Sequence, residues 1–221
     1  MRAKDGVLII TCLLFLIGTV SGHDPNSSTI TTSNPWVIAN GADQTTITVM
    51  VSNNPFGSMQ GATVVFTIDN PISGTLSPIT ATSDATGKAT STFKVNTKSG
   101  IAVITARITS HDGYNATRTI NQNIDHDTPY YAYFSHPLSG TVATEIPFNV
   151  SITDVWGNRI DDRKELALSL PLHTVILHVH GPVPDDCGFA EDGYNHTTSR
   201  ILDVTGTSST MVKLTLSLIH I

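Results

Sequence analysis

A period of two constrains this chain more than any other feature. In Thr46-Ile47-Thr48-Val49-Met50-Val51, and again in Gly61-Ala62-Thr63-Val64-Val65-Phe66-Thr67-Ile68, apolar and polar residues alternate. On an extended backbone such a run has one apolar face and one wet face. The residues between, Ser52-Asn53-Asn54-Pro55-Phe56-Gly57-Ser58, are polar and rich in turn formers. The two runs therefore read as paired strands that face a core on one side. The arrangement returns further along, where Ile146, Phe148, Val150 and Ile152 alternate with Pro147, Asn149 and Ser151 ahead of Asp154-Val155-Trp156-Gly157-Asn158. Two copies offset by roughly 100 residues predict a tandem array of small β domains.

Turn signals recur roughly every 8 to 12 residues along the first copy, which is the pattern of an all-β sandwich. Trp36-Val37-Ile38 leads into the Asn40-Gly41 turn, and Gly74-Thr75-Leu76-Ser77-Pro78 reads as a corner before the short strand Ile79-Thr80-Ala81-Thr82. In Ser83-Asp84-Ala85-Thr86-Gly87-Lys88 the Asp suits side-chain capping and the Gly a left-handed residue. Ala89, Ser91, Phe93 and Val95 share one strand face, as do Ala102, Ile104, Ala106 and Ile108 on the next strand. No segment shows the period of an amphipathic helix.

Both ends of the chain have their own signatures. Arg2 and Lys4, the apolar run from Val7 to Ile17, and the small residues of Gly18-Thr19-Val20-Ser21-Gly22 have the layout of a secretory signal. The apolar core is too short to span a bilayer comfortably. At the other end, Leu216-Ser217-Leu218-Ile219-His220-Ile221 resembles the translation of a transposon end used as a sequencing adapter, which predicts that the natural chain continues. His23 to Asn34 carries no hydrophobic period and is expected to be a flexible lead-in.

The full 221 residues, less the leader, have room for two domains of about 100 residues each, the size of an immunoglobulin-like sandwich. With 12 Lys+Arg against 18 Asp+Glu, a net charge of −6, the chain lacks the basic footprint that nucleic-acid binding needs. Charged residues make up only 14% of it, while Thr and Ser abound, as suits exposed β-sheet outside the cell. Cys12 belongs to the leader, so Cys187 is the one cysteine left after export. It reads as a buried or capped thiol or as one half of a pair made elsewhere, and nothing beside it resembles an activated nucleophile.

Ala39-Asn40-Gly41-Ala42-Asp43 before Thr46-Ile47-Thr48-Val49, followed by Gly61-Ala62-Thr63-Val64-Val65-Phe66, Gly74-Thr75-Leu76-Ser77 and Thr82-Ser83-Asp84-Ala85-Thr86-Gly87-Lys88-Ala89, resembles the bacterial immunoglobulin-like group 1 domain of invasin- and intimin-type surface proteins. The resemblance spans roughly Thr29 to Ile124. It implies an Ig-like fold and a surface-displayed spacer or adhesion module, and it transfers no binding residue. The expected architecture is all-β, with two tandem immunoglobulin-like β-sandwich domains after a signal peptide. The signal occupies 1–22, the lead-in 23–34, the first domain 35–124 and a second domain 125–221, cut short if the natural chain continues. Asp125-His126-Asp127-Thr128-Pro129 is the expected linker, and Asp161-Asp162-Arg163-Lys164-Glu165 a charged loop.

Candidate sites fall into three groups. Four sequons follow the leader, at Asn26, Asn115, Asn149 and Asn195, and an exported chain can meet glycosylation machinery. In Val175-Ile176-Leu177-His178-Val179-His180, alternation sets His178 and His180 on one face, with Cys187 or His196 as a third ligand and His173 nearby, a candidate metal set of His178, His180 and Cys187. Exposed or hydrogen-bonded histidines are the plainer reading of that set. Adjacent pairs Asp161-Asp162 and Asp185-Asp186 point apart on a strand and read as solvated loop charges, or as weak calcium ligands between domains. No phosphate loop, nucleophile elbow or His-Glu-x-x-His motif occurs, so no catalysis and no cofactor are predicted.

The function these features predict is that of an exported, non-catalytic stalk or adhesion module. Its partner would be a cell-surface or envelope protein or a glycan. Membrane contact would come only through the signal peptide or an anchor beyond the fragment. An accessory region of a secreted enzyme, or a metal- or carbohydrate-binding module in the second domain, are the alternatives.

Overall fold

The computed structural model describes residues 25–53, 57–135, 145–178, 187–189, 197–201 and 207–214. The expected signal peptide, the Asn54-Pro55-Phe56 part of the first turn, Asp185-Asp186, His196 and the Leu216 to Ile221 stretch lie outside the described residues. The first half of the chain runs through β1 (Thr29–Thr32), β2 (Trp36–Ile38), β3 (Gln44–Met50), the small hairpin β4 (Ser52–Asn53) and β5 (Gly57–Ser58), then β6 (Thr63–Ile68) and β7 (Gly74–Ser77). It continues with β8 (Thr80–Thr82), β9 (Lys88–Val95), β10 (Gly100–Thr109) and β11 (Asn115–Asp125). Two sheets result, β1-β3-β9-β7 and β2-β11-β10-β6-β8, packed face to face.

The alternation read from the sequence is the alternation of burial. Ile47 and Val49 of β3, Val64 and Phe66 of β6, Phe93 and Val95 of β9, and Ala102, Ile104, Ala106 and Ile108 of β10 all point into one apolar core. Partnership differs from the expectation. The β3 and β6 runs are not paired: β3 lies between β1 and β9, and β6 between β10 and β8, in the opposite sheet. Period two fixes which face a strand buries but not its neighbour. The segment between β3 and β6 crosses from one sheet to the other, so the two apolar faces meet across the core.

The expected flexible lead-in is also corrected. Thr29 to Thr32 pairs antiparallel with β3, in register from Met50 back to Ile47. Side-chain bonds that a hydrophobic pattern cannot show hold this segment down. Arg118 donates from Nε to the Ser28 carbonyl at 2.6 Å and from Nη2 to the Asn26 carbonyl. Gln122, fully buried, accepts from Thr32 Oγ1 at 2.8 Å and donates to the Asn34 carbonyl at 3.0 Å. The chain thus passes from β1 in one sheet to β2 in the other, where β2 runs parallel to the end of β11.

Beyond Asp125 come β12 (Tyr131–Ser135), β13 (Glu145–Thr153), helix α1 (Arg163–Leu168), β14 (Thr174–His178), β15 (Cys187–Phe189), β16 (Thr197–Ile201) and β17 (Thr207–Leu214). They form a sheet β12-β13-β17-β15 and a pair β14-β16. Val150 and Leu177 are buried between these sheets with Ile152 and Val175 against them, the inward placement that alternation gave these four residues. The expected charged loop is different in kind. Residues 163–168 are helical, ending at Ser169 in a left-handed conformation with Pro171 soon after, and Asp161, Asp162 and Glu165 are buried. One short turn of helix has no sequence period to reveal it.

Candidate functional site

An Asp-x-x-Gly-x turn shapes the place where the two halves meet. After β13, Asp154 accepts at Oδ1 from the backbone N–H of Trp156 and Asn158, at 2.9 and 2.8 Å, and Gly157 takes a left-handed φ of 80°. The turn presents Asn158 to the β9–β10 connection: its Nδ2 donates to the Thr97 carbonyl at 2.8 Å, and its Oδ1 accepts from Ser99 N–H at 3.0 Å. The other oxygen of Asp154 accepts from Asp127 N–H at 3.0 Å and from Asn158 Nδ2 at 2.7 Å. Asp154 is 0% and Asn158 1% exposed, so the side-chain atoms taken from water here have partners that offset their desolvation.

Beside this clamp lies a cluster of buried ionisable groups. The segment expected as a polar linker buries Asp125 and His126, and α1 brings Lys164 and Glu165 against them. Lys164 Nζ stands 2.9 Å from Asp125 Oδ2, and Arg163 Nε 2.9 Å from Asp161 Oδ2. His173 donates from its backbone N–H to Asp162 Oδ1 at 2.8 Å, and its Nδ1 lies 2.8 Å from the same oxygen. His126 and His173 meet edge to face, with ring centroids 5.1 Å apart. His126 Nδ1 is 2.7 Å from the Asp127 carbonyl oxygen and Nε2 3.1 Å from that of Asp161. Three buried carboxylate oxygens, Asp125 Oδ1, Asp162 Oδ2 and Glu165 Oε2, have no hydrogen-bond partner. A cleft of about 200 Å³ opens between Ile38, the 125–129 segment, α1 and His173.

Of the predicted metal set, only the backbones of His178 and Cys187 are described. His178 ends β14, opposite Thr197 of β16, while Cys187 opens β15, opposite Leu214 of β17 in the other sheet. Their side chains, and His180 and Asn195 entirely, lie outside the described residues. Asn26, Asn115 and Asn149 are exposed. The Asn115 side chain donates to the Gly113 carbonyl at 3.1 Å and accepts from Thr109 Oγ1 at 2.7 Å. The pair Asp161-Asp162, read as solvated, is buried because the rest of the fold closes over it. Sequence reasoning noted His173 but grouped it with His178, since spacing along the chain cannot show that α1 folds Glu165 beside it and His126. Among the described residues no helix is long and apolar enough to cross a membrane.

Two largely antiparallel sheets packed face to face, with the chain crossing between them, are those of an Ig-like sandwich. Residues 27–121 match the model of the bacterial Ig-like domain (group 1). By sequence, no curated protein matches. Among solved structures, the chain is similar to invasin, described as a bacterial integrin-binding protein, at 16% identity and a TM-score of 0.58, over 86% of this chain and 34% of that one. It is likewise similar to InvD of Yersinia pseudotuberculosis at 19% identity and a TM-score of 0.59, over 85% of this chain and 49% of that one. The chain thus spans about a third of invasin and half of InvD, and the likeness is one of fold.

Proposed function

We propose that this is an exported surface protein whose two Ig-like units, divided near Asp125, stand in series as a non-catalytic stalk or adhesion module. The observation that carries this reading is the Asn158 clamp. A buried side chain of one unit bonded to two backbone groups of the other fixes their mutual orientation, as a spacer requires and a loose tether does not. The fold likeness to invasin and InvD supports a place at the cell surface, with a surface or envelope protein as the partner class. Export through a signal at 1–22 belongs to the same reading. Small-angle scattering on the full chain tests the stiffness: one elongated shape is expected, and a broad distribution of interdomain angles would sink the spacer. Protease shaving of intact cells tests display.

A second reading, a glycan contact, has its own observation. Tyr131 and Tyr133 lie on one face of the edge strand β12, both about half exposed, with ring centroids 6.3 Å apart, a platform on which a sugar ring can stack. Binding on a glycan array that is lost in Tyr131→Ala and Tyr133→Ala supports it; an array without signal rejects it.

A further inference from the structure

We propose that His126, Glu165 and His173 form a binding site for a divalent transition metal of the zinc type at the joint between the two halves. One ligand atom from each of the three lies within 4.8 Å of the others. Three ligands on a tetrahedral zinc stand about 3.4 Å apart, given metal–ligand bonds of about 2.0–2.1 Å, so the cluster needs to contract by about 1.4 Å at most. The donor set, two imidazoles and a carboxylate, suits zinc and its neighbours better than calcium, which prefers an all-oxygen shell.

Three further features point to a cation. Glu165 Oε2 has no hydrogen-bond partner although the residue is only 8% exposed, and it stands 3.9 Å from His173 Nδ1. Asp162 Oδ1 lies 2.8 Å from Nδ1 of His173, and the Asp127 carbonyl 2.7 Å from Nδ1 of His126, the kind of outer partner that orients a metal-bound histidine. Both ring nitrogens of His126 face carbonyl oxygens, that of Asp127 at 2.7 Å and that of Asp161 at 3.1 Å, so a neutral ring sets one lone pair against an oxygen, which a cation beside Nε2 relieves. Asp125 Oδ1, 3.8 Å from His126 Nε2, and Asp162 Oδ2 make no hydrogen bond and add negative charge to the same buried space.

The site stands apart from the stalk reading, since metal binding and domain stiffness are measured separately. Purified full chain is loaded with zinc, dialysed and assayed for retained metal, and in parallel titrated with cobalt(II) for its ligand-field absorption. One ion per chain is expected, with affinity reduced at least about tenfold in Glu165→Gln and in His173→Gln. The pair His178→Ala with His180→Ala is expected to leave it unchanged. Circular dichroism of the metal-free variants checks that each is folded, and Glu165→Gln keeps the shape of the buried side chain. A wild-type chain that retains no metal overturns the proposal. Retention that survives both joint substitutions, or that is lost only with His178 and His180, overturns it as well.

Discussion

Among the described residues the same Asp-headed five-residue turn occurs twice, once in water and once in the interior. At 84–88 and at 154–158 an Asp Oδ1 accepts from the backbone N–H two and four residues on, the Asp N–H donates to the carbonyl four residues on, and a glycine at the fourth position takes φ 80°. Asp84 stands in solvent, whereas Asp154 is fully buried and turns its second oxygen to Asp127 and Asn158. Local chemistry makes the turn in both places; only the surroundings convert the second copy into a clamp.

Disrupting the two turns separately sharpens that contrast. The largest effect is expected from Asp154→Ala, which strands the N–H groups of Asp127, Trp156 and Asn158. At about 1–3 kcal/mol for the buried Asn158 N–H, and less for the part-buried Asp127 and Trp156 groups, the loss is about 3 kcal/mol by chemical denaturation. Asp84→Ala, at the exposed copy, is expected to be far milder. A loss for Asp84→Ala as large as for Asp154→Ala would show that burial is not what separates the two.

Next in size is the glycine pair, where the order reverses. A Cβ on Gly87 would stand 2.4 Å from the Val51 carbonyl oxygen, whereas one on Gly157 meets nothing within 4 Å. Gly157→Ala therefore costs only the left-handed backbone, about 1–2 kcal/mol, and Gly87→Ala exceeds it by about 1–3 kcal/mol for the clash. Thermal melts of the two variants side by side check the ranking.

Asn158→Ala follows, at about 1–3 kcal/mol for the bonds to Thr97 and Ser99. Its distinguishing sign is cooperativity: calorimetry is expected to resolve two unfolding transitions where the parent chain shows closer coupling. A single transition with an unchanged midpoint would mean that the clamp does not couple the halves.

The smallest effect is one of pH. The Thr86 hydroxyl, followed by the Lys88 and Thr86 N–H groups, holds the Asp84 carboxyl below its ordinary range. A carboxyl with a depressed folded-state pKa contributes stability above its unfolded pKa, about 3.9, and loses it as pH falls through the lower folded value. Asp84→Asn is thus expected to lower the melting temperature slightly at neutral pH and to flatten the acid limb, the two profiles converging at low pH. An equal lowering at every pH, with the slope of the acid limb unchanged, would contradict this.

How far the sequence could be read follows the same division. Glycines and aspartates that make a turn act over five residues, and both turns were legible from Asp84-x-x-Gly87 and Asp154-x-x-Gly157. Alternation placed Phe93, Ile104 and Val150 on inward faces because a strand's period is a local property. What stayed hidden depends on residues far apart in the chain. Nothing near Ile47 or Phe66 says that they belong to opposite sheets. A run such as Asp161-Asp162-Arg163-Lys164-Glu165 looks solvated until the end of β11 is folded against it, and the His126, Glu165 and His173 cluster exists only once three separate segments have met.

At a surface exposed to flow, the ends of the first sandwich would carry the load. β2 lies near the start of the sandwich and β11 at its end, and Trp36, Val37 and Ile38 run parallel to Asn123, Ile124 and Asp125. A pull on the chain from both sides draws these two strands along their axes in opposite directions. Their hydrogen bonds then meet the tension in shear and must yield together, where an antiparallel hairpin pulled from its open end would unzip one rung at a time. β2 and β11 are laid out as a tension lock.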